Sequence, residues 1–167
     1  AELATIQSLD RPGLRVTTLP MLFEADGGEA ALRSALDRLF ADAEAAIDGG
    51  STILVLSDRG VDGTHAPIPA LLATAGLHHH LIRQGKRGRA GIVLETGEVR
   101  EVHHYCLLLG YGVNAVNPYL VYESLADMIS ENMLVDIELS TASQNYNKAV
   151  LKGVVKVMSK MGISTVK

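Results

Sequence analysis

The chain has 167 residues, 47% of them hydrophobic, 20% charged and 4% aromatic, with a net charge of −4, one cysteine and no tryptophan. A single domain of this length removes about two thirds of its unfolded surface from water, so a core is available without disulfides or metals, and disorder is excluded. The mild acidity and scarce aromatics argue against a nucleic-acid surface. The longest stretch free of Asp, Glu, Lys and Arg, 102–122, carries histidines, glycines, asparagines and a proline unsuited to a hydrocarbon core.

Residues 14–23 alternate β-branched and apolar side chains (Val16, Thr17, Thr18, Leu19, Leu22) and are expected to form a strand, with Pro20 weakening its middle. Gly27 and Gly28 break the chain before a helix over 29–47, where Ala31, Leu32, Ala35, Leu36, Leu39, Ala43 and Ile47 recur at helical spacing, and Gly49 and Gly50 stop it. A short apolar run, 52–56, suits a buried strand and empties into a loop over 57–63. A helix follows from Pro67 or Pro69 to Gln84, with proline in the permitted first turn and Gly85 beyond the end. Then come a strand over 90–94, a helix over 98–109, a strand over 113–116 and a helix that Pro118 opens, reaching 129.

Strands separated by single helices need crossover connections, which return each strand parallel to the last. The expected class is α/β with a mainly parallel sheet, arranged as a partial or degenerate βα-barrel or in flavodoxin- or Rossmann-like layers. Ser143 or Gln144 is expected to cap a final helix running to Met161 and burying Val150, Val154, Met158 and Met161. Residues 163–166 read as the start of another strand, so the chain, without an initiator Met and ending inside a βα unit, is expected to be incomplete. No signal-peptide pattern opens it, and a lone Cys106 in an apolar stretch fits a reducing compartment; a cytoplasmic location is expected.

Ligands of parallel α/β sheets sit at the carboxyl ends of the strands, which directs attention to loop 57–63. Asp58, Asp62 and Gly63 match three calcium-loop positions, but Gly60 and Pro69 stand where ligands are required, so calcium is rejected. Arg59 has two readings: it holds an anion, or it pairs with Asp58 or Asp62 to fix the loop. Residues 110–115 fit a dinucleotide glycine pattern in the wrong context, after a helix and before a strand, which makes the glycines a helix stop and tight turn. Five histidines fall in two clusters, 78–80 and 103–104; consecutive helical residues diverge by about 100°, so neither cluster alone can ligate an ion. Cys106 lacks an orienting group that would activate it. Seven acids crowd 24–48 against two arginines, while Lys148, Lys152, Lys156 and Lys160 form a stripe on the last helix. The stripe reads as a solvated face or as a contact for an acidic surface or a cofactor phosphate.

The strings Ile53-Leu-Val-Leu-Ser-Asp-Arg-Gly60, Ala66-Pro-Ile-Pro-Ala-Leu-Leu-Ala73, His78-His-His-Leu-Ile-Arg83, Arg100-Glu-Val-His-His104, Leu109-Gly-Tyr-Gly112, Val116-Asn-Pro-Tyr119 and Lys156-Val-Met-Ser-Lys-Met-Gly-Ile-Ser-Thr165 stand in an order and spacing that resemble the large subunit of glutamate synthase. The resemblance covers nearly the whole chain. It implies a much longer enzyme with an amidotransferase domain, a central domain, a βα-barrel that binds FMN and an iron–sulfur cluster, and a β-helix. Such an enzyme hydrolyses glutamine, channels the ammonia and reduces the imine formed with 2-oxoglutarate, taking electrons from a small electron-donor subunit or ferredoxin. It also implies the cytoplasm, or a plastid in a photosynthetic eukaryote.

Within that frame, residues 1–142 correspond to the central domain and 143–167 to the helix and strand that lead into the FMN barrel. The family's amino-terminal catalytic cysteine, iron–sulfur cysteines and FMN loops have no counterpart here. The expectation is therefore a scaffold that docks amidotransferase to FMN domain and lines the ammonia path, with no catalytic residue and no metal of its own. Two other readings stay open: an anion or flavin-phosphate module near Arg59 and Lys160, and a zinc module built on the histidine clusters. An uncovered last strand or the 150–161 stripe is expected to favour self-association.

Overall fold

A computed structural model describes residues 2–166. In chain order the elements are α1 (Glu2–Gln7), β1 (Asp10–Arg11), β2 (Leu14–Pro20), β3 (Leu22–Glu24), α2 (Gly28–Asp48), β4 (Ile53–Ser57), β5 (His65–Pro67), α3 (Ala70–Arg83), β6 (Gly91–Glu95), α4 (Val102–Gly110), β7 (Ala115–Asn117), α5 (Tyr119–Ser130) and α6 (Leu139–Met161). Five strands form one sheet in the order β1-β2-β4-β6-β7. β1 pairs antiparallel with β2, and the other three pairings are parallel. β3 and β5 form a separate antiparallel pair beyond the carboxyl ends of β2 and β4, where Met21 N–H donates to Ser57 O at 2.7 Å.

Each parallel crossover steps to the next place in the same direction, with no reversal of strand order. Right-handed crossovers of that kind put their helices on one face, as in a barrel, and differ from a doubly wound sheet. The core follows this rule. Leu19, Leu54, Leu56, Ile92 and Leu94, one face of the sheet, share a cluster with Leu39 and Ile47 of α2, Leu77 and Leu81 of α3 and Leu108 of α4. On the other face Val55 is buried, Ile53 and Val93 are half-buried, and Thr18 and Ala115 are exposed. α1 reaches that face at β2, where Gln7 Nε2 donates to Thr18 Oγ1 at 3.3 Å. The fold is therefore α/β with a mainly parallel sheet whose helices α2, α3 and α4 share one face, as the expected class has it.

The boundaries that differ from expectation have local causes. The 14–23 strand divides at buried Met21 into β2 and β3, because the chain leaves the sheet after Pro20 to pair with β5. α4 begins at Val102, not 98, because the imidazole of His104 accepts hydrogen bonds from Arg100 N and Glu101 N and fixes the first turn there. α6 begins at Leu139, four residues before Ser143, so Ser143 and Gln144 lie inside it. Its inward stripe is Ala142, Tyr146, Val150, Val154 and Met158, while Met161 is 69% exposed. Residues 163–166 are not a strand. Gly162 takes φ +70° and Ile163 N–H closes the helix end on Met158 O at 2.9 Å.

Candidate functional site at the strand ends

Leu54-Val55-Leu56 and Ile92-Val93-Leu94 are apolar runs in matched register, and each ends in a polar pair, Ser57-Asp58 and Glu95-Thr96. Where the apolar run ends, the chain leaves the sheet, so these polar groups meet at its carboxyl edge. Ser57 Oγ donates to Glu95 Oε2 at 2.6 Å, and Arg59 Nε donates to Glu95 Oε1 at 2.7 Å. Arg59 Nη1 reaches Glu123 Oε1 of α5 at 3.1 Å, and the guanidinium lies 3.9 Å above the Tyr119 ring. Asp58, 2% exposed, accepts from Thr96 Oγ1 at 2.5 Å and from Gly97 N–H.

Burial opposes the charge of Arg59, but Glu95 and then Glu123 outweigh it and hold its pKa above the ordinary value. The Tyr119 hydroxyl is pushed up to about 12, by burial first and then by its bond to Asp58. Glu98, in the loop after β6, accepts from Ala70 N–H at 3.1 Å with both oxygens and so occupies the amino terminus of α3, whose own N-cap Pro69 offers no side-chain bond. The edge holds four carboxylates, Asp58, Glu95, Glu98 and Glu123, each with a donor, around one guanidinium. It ties three loops and α5 together, and among the described residues it holds neither an unpaired cation nor an activated nucleophile.

Arg59 pairs with Glu95 and Glu123, not with Asp58 or Asp62. Asp62 instead accepts from Thr64 N–H, the Thr64 hydroxyl and His65 N–H, and these bonds hold its carboxyl far below the usual range. The signal for Glu95 was in the sequence, in the parallel between 53–58 and 91–96. Glu123 and Tyr119 carried no such signal, because they reach Arg59 from α5, 64 and 60 residues further along the chain.

Lys160 is exposed on the last turn of α6, beside Met158 and Met161, which line a groove with Gly112 and Asn114 at the amino ends of the strands. It lies at the opposite edge from Arg59, so the two are not brought together. The histidines are separated as well. His80 Nε2 lies 2.6 Å from Glu44 Oε1 and its ring stacks on Phe40; Lys86 bonds both Glu44 and Asp48. His78 accepts at Nδ1 from Arg87 Nε at 3.0 Å, and His104 fixes the start of α4. Among the described residues no group of three or more His, Cys, Asp and Glu is placed to hold a metal ion, and no helix is long and apolar enough to cross a membrane. Gly112 has φ +97°, and any Cβ there would run into the His78 ring, so this glycine serves the turn and the close approach of α3, while Gly110 ends α4 with open space beside it.

The class these features define is an α/β domain with a mainly parallel sheet whose carboxyl edge carries an ion-pair network. The chain belongs to the glutamate synthase central domain family, whose model matches residues 1–167. It is 45% identical over 161 residues to the NADPH glutamate synthase large chain of Bacillus subtilis (strain 168), covering 96% of this chain and 10% of that protein. It is 39% identical over 167 residues to the NADH glutamate synthase of Schizosaccharomyces pombe, covering 98% of this chain and 8% of the relative. With ferredoxin-dependent glutamate synthase 2 of Synechocystis it shares 38% over 172 residues, 95% of this chain and 11% of that one. The chain spans about a tenth of the length of the relatives it matches.

Proposed function

We propose that the chain works as the central domain of a glutamate synthase large chain, an oxidoreductase that makes two glutamates from glutamine and 2-oxoglutarate. Its part is to hold the amidotransferase domain against the FMN domain and to wall the ammonia path between them. Residues 1–142 form the body of that scaffold, and 143–167 lead toward the FMN domain. Electrons come from a small electron-donor subunit or from ferredoxin, and the whole works in the cytoplasm or a plastid.

The observation that carries this reading is the closed carboxyl edge. In a barrel enzyme that edge is where substrate and cofactor phosphates bind, at free helix amino termini and free cations. Here Glu98 already occupies the α3 terminus and Arg59 is spent on two carboxylates, so a flavin phosphate would meet four acids. These residues do not fit FMN. In the large chain FMN and the iron–sulfur cluster belong to other segments, and no redox step runs through this one.

The test is made in the full-length protein with Glu95→Gln. Glutamine hydrolysis and ammonia-driven glutamate formation should each stay within about threefold of the unmodified protein at a temperature where both are folded. A catalytic group lost from the site would cost about 10²–10⁴ in rate. A fall of that size with the melting temperature unchanged would overturn the reading.

A further inference from the structure

Arg87 stands just before β6, at the amino edge of the sheet. Its Nε donates to His78 Nδ1 at 3.0 Å, Nη1 to Ala90 O at 2.8 Å and Nη2 to Gly112 O at 2.6 Å. All three acceptors are neutral, and a guanidinium carries five donors, so two N–H bonds remain. Among the described residues no carboxylate pairs with it, although its neighbours Lys86 and Arg89 are paired with Glu44 and Asp48 on the other side of the same loop. The side chain is half-buried, and burial alone lowers its pKa. A cation taken partly out of water without a counter-ion is costly, and an arriving carboxylate would meet it bidentately with little reorganisation.

The same guanidinium forms one wall of a groove of about 630 Å³ whose other surfaces are mainly apolar, among them Leu109 of α4, Met158 of α6 and the 162–166 segment. Three of its apolar residues stand open: Met161 at 69%, Ile163 at 43% and Val166 at 46% exposure. Large apolar side chains gathered around one groove mark a surface that another part of a protein covers. The relatives extend this segment to about ten times its length, which supplies polypeptide to cover it.

We propose that this groove is a docking site for an apolar segment of the same polypeptide, from outside residues 1–167, that delivers one Asp or Glu side chain to Arg87. The proposal rests on the central-domain reading. The apolar body of the segment covers Met161, Ile163 and Val166, and its carboxylate completes the ion pair that the chain leaves open. The site at the amino edge thus holds the domain to its neighbour, while the carboxyl edge holds the domain to itself.

The test uses full-length protein carrying Arg87→Lys, treated with a carbodiimide, which activates a carboxylate so that the free amine of a lysine in direct contact forms an amide with it and releases the urea. The expected product is a bridge from position 87 to an Asp or Glu outside residues 1–167, found by mass spectrometry and missing from Arg87→Met. No bridge at all would overturn the proposal. So would a bridge to an acid within 1–167 that depends on protein concentration, which means a second copy, or a small carboxylate released from the purified protein. If Arg87→Lys fails to fold, the unmodified protein gives the answer through Cys106, which lines the same groove. Peptide-resolved alkylation of Cys106 should be at least about a hundredfold slower in the native full-length protein than in denaturant, and a near-denatured rate would overturn the proposal. Retained glutamine-dependent glutamate formation beside a freely reacting Cys106 would reject the docking alone. Loss of that activity in the unmodified protein would reject the reading beneath it.

Discussion

Arg59 and Arg87 stand at opposite edges of one mainly parallel sheet and differ in their partners and in their depth. Arg59 has two carboxylates and an aromatic face although 49% of its side chain is exposed to water; Arg87, more deeply placed, has only neutral acceptors. An exposed cation needs a partner less than a buried one, so the distribution is the reverse of what stability of the isolated segment alone would favour. The carboxyl edge is complete within these 167 residues, and the amino edge is finished from outside. The difference separates a surface that closes a fold from a surface that awaits a neighbour.

The largest expected effect comes from breaking the seat of Arg87. Gly112→Val puts a β-branched side chain at φ +97° and into the His78 ring, and should cost about 3 kcal/mol or more in urea denaturation of the 167-residue chain. Glu95→Gln removes the charge that holds Arg59 and weakens the bond from Ser57, and the same measurement should show a loss of about 1–3 kcal/mol. Arg59→Met should cost a similar amount, about 1–3 kcal/mol, because it leaves the buried carboxylate of Glu95 without its cation. Arg87→Met sharpens the contrast. It should change the 167-residue chain by no more than about 1 kcal/mol, since it discards an unpaired charge along with three bonds, and destabilise the full-length protein by about 2–4 kcal/mol, where the pair is complete.

The smallest effect is on pH. His78 is held below its ordinary value of 6.5 by burial, then by Arg87 and His79. Its neutral form is the one that accepts from Arg87, so below 6.5 the unfolded chain binds a proton that the folded chain resists, and stability falls as pH falls toward the depressed value. His78→Gln should flatten that slope in denaturation curves taken over the same range.

The sequence was most legible where a single periodicity governed many residues. Helix α2 ends within a residue of its expected bounds, because its stripe from Ala31 to Ile47 and the glycines after it act in the same direction. The parallel strands were legible as apolar runs between helices, and the family strings such as Ile53 to Gly60 carried the membership that the family model and relatives show. The short antiparallel pair β3–β5 was not legible, since three residues on either side carry no period and the pairing is decided by where Pro20 turns the chain out of the sheet. Met161 lies past the last inward turn of the stripe, and α6 begins at Leu139 with Ala142 already buried, although Ser140, Thr141 and Ser143 give no helical signal of their own. At the site, the partners of Arg59 come from β6 and α5, 36 and 64 residues away, and spacing says nothing about such distances.

The central claim, that the carboxyl edge supplies structure and not chemistry, is tested most directly by titration calorimetry of the 167-residue chain with FMN, 2-oxoglutarate and glutamine. The prediction is no heat of binding at millimolar ligand, with or without Arg59→Met. Micromolar binding of any of the three that disappears in Arg59→Met would contradict it.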